Sequence, residues 1–159
     1  AFLEFDGRPL LAWVADKMAR VAAEVVVAVP GDRVATTALL LPGCRVIAGG
    51  RDRHETVQRL AGAARGDWLL LHDAARPFAS EALLRATLEA ARGTGCAACV
   101  LAPEVPVAHL RDGLLVDAWP GSTVGVSQTP QAYSRDALQV MSRHAEAQGC
   151  RPQSTMQLA

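Results

Sequence analysis

The 159-residue sequence carries no net charge, since 16 basic and 16 acidic residues cancel. No overall field therefore draws in nucleic acid or an anionic membrane, and any anion site has to be built locally. Lysine is nearly missing: Lys17 stands alone among arginines, whose planar guanidinium suits two-pronged contacts with phosphate or carboxylate. Arginine and alanine enrichment also follows from GC-rich coding, so a single surface arginine says little. No run of about 18 apolar residues occurs, and no membrane span is expected. The start carries Glu4 and Asp6 among its apolar residues, unlike a signal peptide.

Cysteine is sparse and badly spaced for metal or redox work. Of Cys44, Cys96, Cys99 and Cys150, only Cys96 and Cys99 form a C-x-x-C. The run 96–101 reads as a buried strand, in which residues three apart point to opposite faces, so core thiols are expected. The histidines give no zinc site: His109 and His144 lack ligand-spaced partners, and His54 reads as a surface residue. His72 precedes Asp73, but adjacent strand residues face opposite ways, which disfavours a His–Asp dyad. There is no G-x-S-x-G, P-loop or G-x-G-x-x-G, against a serine hydrolase, a P-loop NTPase and an NAD-type Rossmann enzyme.

What is present alternates short apolar runs with helical stretches, the α/β signature of one compact unit over 1–159. Strands are expected at 25–29, 45–48, 68–72 and 96–101, in a Rossmann-like, mostly parallel, three-layer sheet buried on both faces. Helices are expected at 9–19, with Pro9 at the first position, and at 51–64, 80–92 and 134–148, with Ser80 and Ser134 as caps. The stretch 103–130 carries Pro103, Pro106, Pro120 and Pro130, and reads as an irregular arm of loops and short strands.

Two segments can carry chemistry. The run 69–77 delivers Asp73 and Arg76 to the carboxyl end of an apolar strand, where open α/β sheets bind ligands. An acid there can hold a divalent cation against phosphate oxygens; capping of the next turn with a surface Asp73–Arg76 pair is the plain alternative. The segment 49–56 stands at a strand-to-helix junction. Gly49 and Gly50 would let a ligand approach the backbone, free amides of the first helical turn would face it, and Arg53 and Thr56 would add a cation and a hydroxyl. A turn with a solvated, charged helix start is the alternative there.

Gly49-Gly50 with Arg53 and Thr56, then His72-Asp73-Ala74-Ala75-Arg76-Pro77, then Gln128-Thr129-Pro130-Gln131 resemble, in order and spacing, the 2-C-methyl-D-erythritol 4-phosphate cytidylyltransferase family. The resemblance implies a nucleotide-diphospho-sugar transferase type of fold in a bacterial, cytoplasmic enzyme. It implies transfer of CMP from CTP to methylerythritol phosphate with release of pyrophosphate, assisted by Mg²⁺, in non-mevalonate isoprenoid synthesis. Asp73 would hold the metal; Gly49, Gly50, Arg53, Thr56, Asp73 and Ala74 would line the nucleotide; Arg76 would face the sugar phosphate. The 103–130 arm would join a homodimer. The family's glycine-rich loop, with the first strand and lysine beside it, and its C-terminal strand region have no counterpart in this sequence. Departures also occur within the matched part: 105–108 lacks an Asp-Thr pair, Gly121 stands where an arginine is expected, and Ser154-Thr155-Met156 stands where acids are expected. A non-catalytic nucleotide-binding homologue and a sugar-1-phosphate nucleotidyltransferase are the alternatives.

Overall fold

Two successive positive-φ residues, Asp6 at 51° and Gly7 at 70°, allow a tight hairpin between β1 (Glu4–Phe5) and β2 (Arg8–Pro9). In the computed structural model, which describes residues 1–149 and 154–158, helix α1 (Leu10–Ala19) follows directly. The β-branched run then forms β3 (Val26–Val29), and after α2 (Val34–Leu40), absent from the sequence expectation, comes β4 (Arg45–Ala48). β3 and β4 pair in parallel, with Val27 opposite Val46.

The second half continues through α3 (Arg53–Ala63), β5 (Trp68–Leu71), α4 (Glu81–Thr94) and β6 (Cys96–Leu101). Ser80 caps α4 as expected, its Oγ accepting from Leu83 N at 3.1 Å, and Asp52 caps α3, its Oδ1 accepting from Glu55 N at 2.8 Å. Gly95, left-handed at φ 86°, ends α4. The arm is a hairpin of β7 (Val107–Arg111) and β8 (Leu114–Trp119), and β9 (Val126–Ser134) returns to the body ahead of α5 (Arg135–Ala147).

The sheet corrects one expectation. Among the described residues only β3 and β4 pair in parallel; β5 and β6 both pair antiparallel with β9, in the order β5-β9-β6. Pro130, which has no amide to donate, hid β9 inside the arm. The structure accommodates it where the β6–β9 register jumps, from Ala98 opposite Gln131 to Val100 opposite Ser127. A second correction concerns β6. It is half-buried to exposed, with Val100 52% and Leu101 60% exposed, so Cys96 and Cys99 are half-buried free thiols. They do face opposite ways: Cys96 packs with Leu69 and Tyr133, and Cys99 Sγ lies 3.4 Å from Thr87 Oγ1 of α4. Cys150 lies outside the described residues.

Three layers result. α1 and α4 share one face, joined by Arg20–Glu81 at 2.5 Å and by Arg85 donating to Arg20 O at 2.6 Å; Leu11 and Ala15 of α1 cover Val27 and Val29. α3 and α5 share the other, joined by Gln58 and Glu146, and enclose Val57, Leu69, Tyr133 and Leu138. No helix among the described residues is long and apolar enough to cross a membrane.

Candidate active site

Two corners, one after β4 and one after β5, carry the residues singled out above. In the first, the chain closes on itself. Gly49 N donates to Val29 O at 2.8 Å, Gly50 N to Thr56 Oγ1 at 2.9 Å, and Arg51 N to Glu55 Oε2 at 3.0 Å. Thr56 Oγ1 in turn donates to Asp52 O at 2.8 Å. The expectation of free amides in the first helical turn is corrected at Arg51, whose N–H is taken by Glu55, and at Glu55, whose N–H is taken by Asp52 Oδ1. Gly50 is required by the same closure: a Cβ there would lie 2.5 Å from Glu55 Cβ. Arg51 and Arg59 flank the Glu55 carboxylate at 3.0 and 2.6 Å. The Arg51 amide and guanidinium, followed by Arg59, hold its pKa down at about 2.

The second corner is held by groups from elsewhere in the chain. Thr129 Oγ1, beside the cis Thr129–Pro130 peptide, accepts from Asp73 N at 3.2 Å. His72 Nε2 lies 3.0 Å from Arg76 O, so no His–Asp dyad forms. Burial pushes the imidazole pKa below its ordinary value, against the opposing pull of that carbonyl. Lys17 Nζ, from α1, donates to Pro77 O and Ala79 O, both at 2.6 Å. Sequence reasoning missed this role, for which the only signal was that Lys17 is the single lysine.

The corners meet through charge. Arg53 Nη1 lies 3.0 Å from Asp73 Oδ1, and Arg76 Nε lies 3.4 Å from Asp73 Oδ2, all three side chains being about one-third exposed (38%, 31% and 38%). Arg53, Thr56, Asp73 and Ala74 line one cavity of about 880 Å³; Gly49, Gly50 and Arg76 lie outside its lining. Ala74 packs against the Leu11–Val27–Val29 cluster, so its main chain, not its methyl, is left to meet a ligand. His54, expected at the surface, is half-buried with Nε2 unpartnered. No cluster of three or more metal-ligating side chains exists among the described residues. A lone carboxylate nevertheless suits Mg²⁺, which is commonly held by one or two carboxylates plus substrate phosphates. Gly121 has a steric reason: a Cβ would lie 2.5 Å from Pro103 O, leaving no room for the expected arginine.

The layered α/β architecture is that of the nucleotide-diphospho-sugar transferase type, and solved structures share it. The enzyme titled 2-C-methyl-D-erythritol 4-phosphate cytidylyltransferase from Thermus thermophilus superposes with a TM-score of 0.83 at 34% identity, covering 99% of this chain and 76% of that one. A 4-diphosphocytidyl-2C-methyl-D-erythritol synthase from Anaerococcus prevotii gives 0.89 at 24% identity, covering 98% and 75%, and speaks to the fold alone. The chain belongs to the 2-C-methyl-D-erythritol 4-phosphate cytidylyltransferase family, whose model matches residues 1–156. The Deinococcus radiodurans relative of that name is 36% identical over 155 residues, covering 93% of this chain. The chain spans 62% of that relative's length, and 72% of the Thermus thermophilus one's.

Proposed function

We propose that this chain carries the substrate-binding corners of a cytidylyltransferase that moves CMP from CTP to 2-C-methyl-D-erythritol 4-phosphate and releases pyrophosphate. The observation that supports it is the Asp73 carboxylate set between Arg53 and Arg76 at 3.0 and 3.4 Å, within a family of that activity. In the reaction, a phosphate oxygen of the acceptor attacks the α-phosphorus of CTP in line and the bond to pyrophosphate breaks. Such a step needs positioning and charge neutralisation rather than a covalent nucleophile.

In this reading Arg53, on the first turn of α3, meets nucleotide phosphate and Arg76 meets the acceptor phosphate. Each can exchange its contact with Asp73 for a substrate oxygen. Asp73 would hold Mg²⁺, which supplies neutralisation of phosphate charge when bound. Gly49, Gly50, Thr56 and the main chain at Ala74 shape the nucleotide side of the hollow.

The arm adds a second copy of the chain to this reading. β7–β8 exposes Leu114, Leu115 and Val116 at 72%, 65% and 49%, a surface suited to an isologous dimer contact. Sedimentation at tens of micromolar is expected to give a dimer, and a strict monomer refutes the contact.

Pyrophosphate release from millimolar CTP, Mg²⁺ and methylerythritol phosphate tests the activity. Asp73→Asn is expected to cut turnover about a hundred-fold or more, with the melting temperature held within a few degrees. Unchanged turnover would remove Asp73 from the site. Turnover of a sugar 1-phosphate in place of methylerythritol phosphate would redirect the substrate assignment.

A further inference from the structure

Arg76 lies on the link between β5 and α4, and the main chain of that link is fastened on both sides of it. Arg76 N donates to Asp73 O at 3.0 Å, and Arg76 O faces His72 Nε2 at 3.0 Å. Further along, Pro77 O and Ala79 O each accept from Lys17 Nζ at 2.6 Å. The ring of Pro77 locks its φ, so a single soft torsion, ψ of Pro77, separates the carbonyl held by His72 from the first one held by Lys17. With both carbonyls fixed, the Arg76 Cα is fixed too. Its guanidinium is then kept beside Asp73, with Nε 3.4 Å from Oδ2.

The anchor is mounted on a firm base. Leu11, Ala12, Val14 and Ala15 bury one face of α1, and Lys17 itself is half-buried. One turn on, Arg20 holds Glu81 at the start of α4 at 2.5 Å, so α1 grips the link and the helix that follows it. An ammonium donating to carbonyls makes charge-assisted bonds, roughly twice as strong as neutral ones. The start of α3, which carries Arg53, closes through Gly50, Arg51, Asp52, Glu55 and Thr56, with no group from α1. Of the two guanidiniums at Asp73, α1 therefore governs Arg76.

We infer that Lys17 is a positioning residue for the acceptor phosphate: by holding Pro77 O and Ala79 O it keeps the Arg76 guanidinium where that phosphate is taken up. Lys17 touches no substrate in this role and acts only through Arg76. The role rests on the proposed function, in which Arg76 meets the acceptor phosphate. Losing the anchor lets the 76–79 main chain wander, so a phosphate that binds must first gather Arg76 back into place and is bound more weakly. The coupling is reciprocal by linkage. If the grip of Lys17 favours phosphate at Arg76, phosphate at Arg76 tightens the grip of Lys17.

Inorganic phosphate is the probe, and its binding to the intact chain is read by NMR at the Nε–H of Arg76. Lys17→Met is expected to raise the dissociation constant read there about ten-fold, with hydrogen exchange at Gly50 N unchanged. Lys17→Arg, which keeps the charge and the donors, should come back to within about three-fold of the parent chain. Unchanged affinity in Lys17→Met overturns the role, as does a loss that loosens Gly50 N as well or that Lys17→Arg does not recover. A second measurement needs no variant to fold. Lys17 is the only lysine, so ¹⁵N-lysine labelling gives one side-chain ammonium signal in the unaltered chain, and saturating phosphate should slow its hydrogen exchange about five-fold or more. An ammonium indifferent to phosphate overturns the role. If phosphate leaves Arg76 of the unaltered chain itself unmoved, the acceptor assignment of Arg76 falls first and the role of Lys17 with it; a responsive Arg76 with an indifferent Lys17 overturns the role of Lys17 alone.

Discussion

The corner after β4 and the corner after β5 do similar work by opposite means. The first closes largely through contacts spanning at most six residues: Gly50 to Thr56, Arg51 to Glu55, and Glu55 to Asp52. The second is fastened from afar, by Lys17 across 60 and 62 residues and by Thr129 across 56. A locally closed turn keeps its shape whatever the rest of the molecule does. A turn hung on distant anchors can shift when those anchors shift, and it is this second turn that carries Asp73 and Arg76. Arg53, on the locally closed corner, reaches across to Asp73 on the distantly fastened one at 3.0 Å.

Gly50→Ala is the strongest way to break the first corner. Its Cβ would meet Glu55 Cβ at 2.5 Å and the Glu55 carbonyl carbon at 2.8 Å, contacts that no side-chain rotation relieves. A loss of about 3 kcal/mol is expected, at the upper end for overpacking. The Glu55 carboxyl should titrate nearer its ordinary value while exchange at Arg76 N, bonded to Asp73 O at 3.0 Å, stays as it was. Carbon NMR of Glu55 reads the first and amide exchange the second. If both corners loosen together, they are not independent.

Lys17→Met tests the second corner. It keeps most of the aliphatic stem and removes two charge-assisted bonds to half-buried carbonyls, for about 2 kcal/mol. Exchange at Arg76 N should quicken with no change at Gly50 N. A smaller effect, about 1 kcal/mol, is expected from Asp52→Ala, which strips the cap of α3 and should loosen only the first corner. Urea midpoints rank the three; a reversed order would mean that local closure matters less than distant fastening.

The same contrast explains what was legible beforehand. Residue type and spacing within ten positions place the helix caps at Ser80 and Ser134, and the grouping of Gly49, Gly50, Arg53 and Thr56. The α/β class follows from the alternation of runs. Mixed pairing was not legible, because β9 holds Pro130 and shares no local signal with β5 or β6. Nor was the use of Lys17, whose partners are main-chain carbonyls that any sequence would supply. The ligand-facing hydroxyl expected at Thr56 failed for a related reason: residue type does not show that Thr56 and Glu55 turn back to accept from Gly50 N and Arg51 N. At Gly121 the residue type looked like a lost arginine, and the structure gives it a cause in the Pro103 carbonyl.

Acidification should separate the corners by pH as well as by mutation. Glu55 falls from 4.5 to about 2 on folding. Its contribution is therefore complete above 4.5 and disappears as pH drops toward 2. His72 is held below its ordinary 6.5 by burial, so the unfolded chain takes up a proton first. Stability is whole above 6.5 and declines as pH falls below it, until the folded imidazole also protonates. Urea midpoints across pH 3–8 should thus show two descending limbs. Glu55→Gln should flatten the lower one alone, and His72→Gln, whose amide can still reach the Arg76 carbonyl, the upper one alone. An upper limb that survives His72→Gln would show that another group brings the proton in, and would leave the second corner held by Lys17 and Thr129 without help from a buried neutral imidazole.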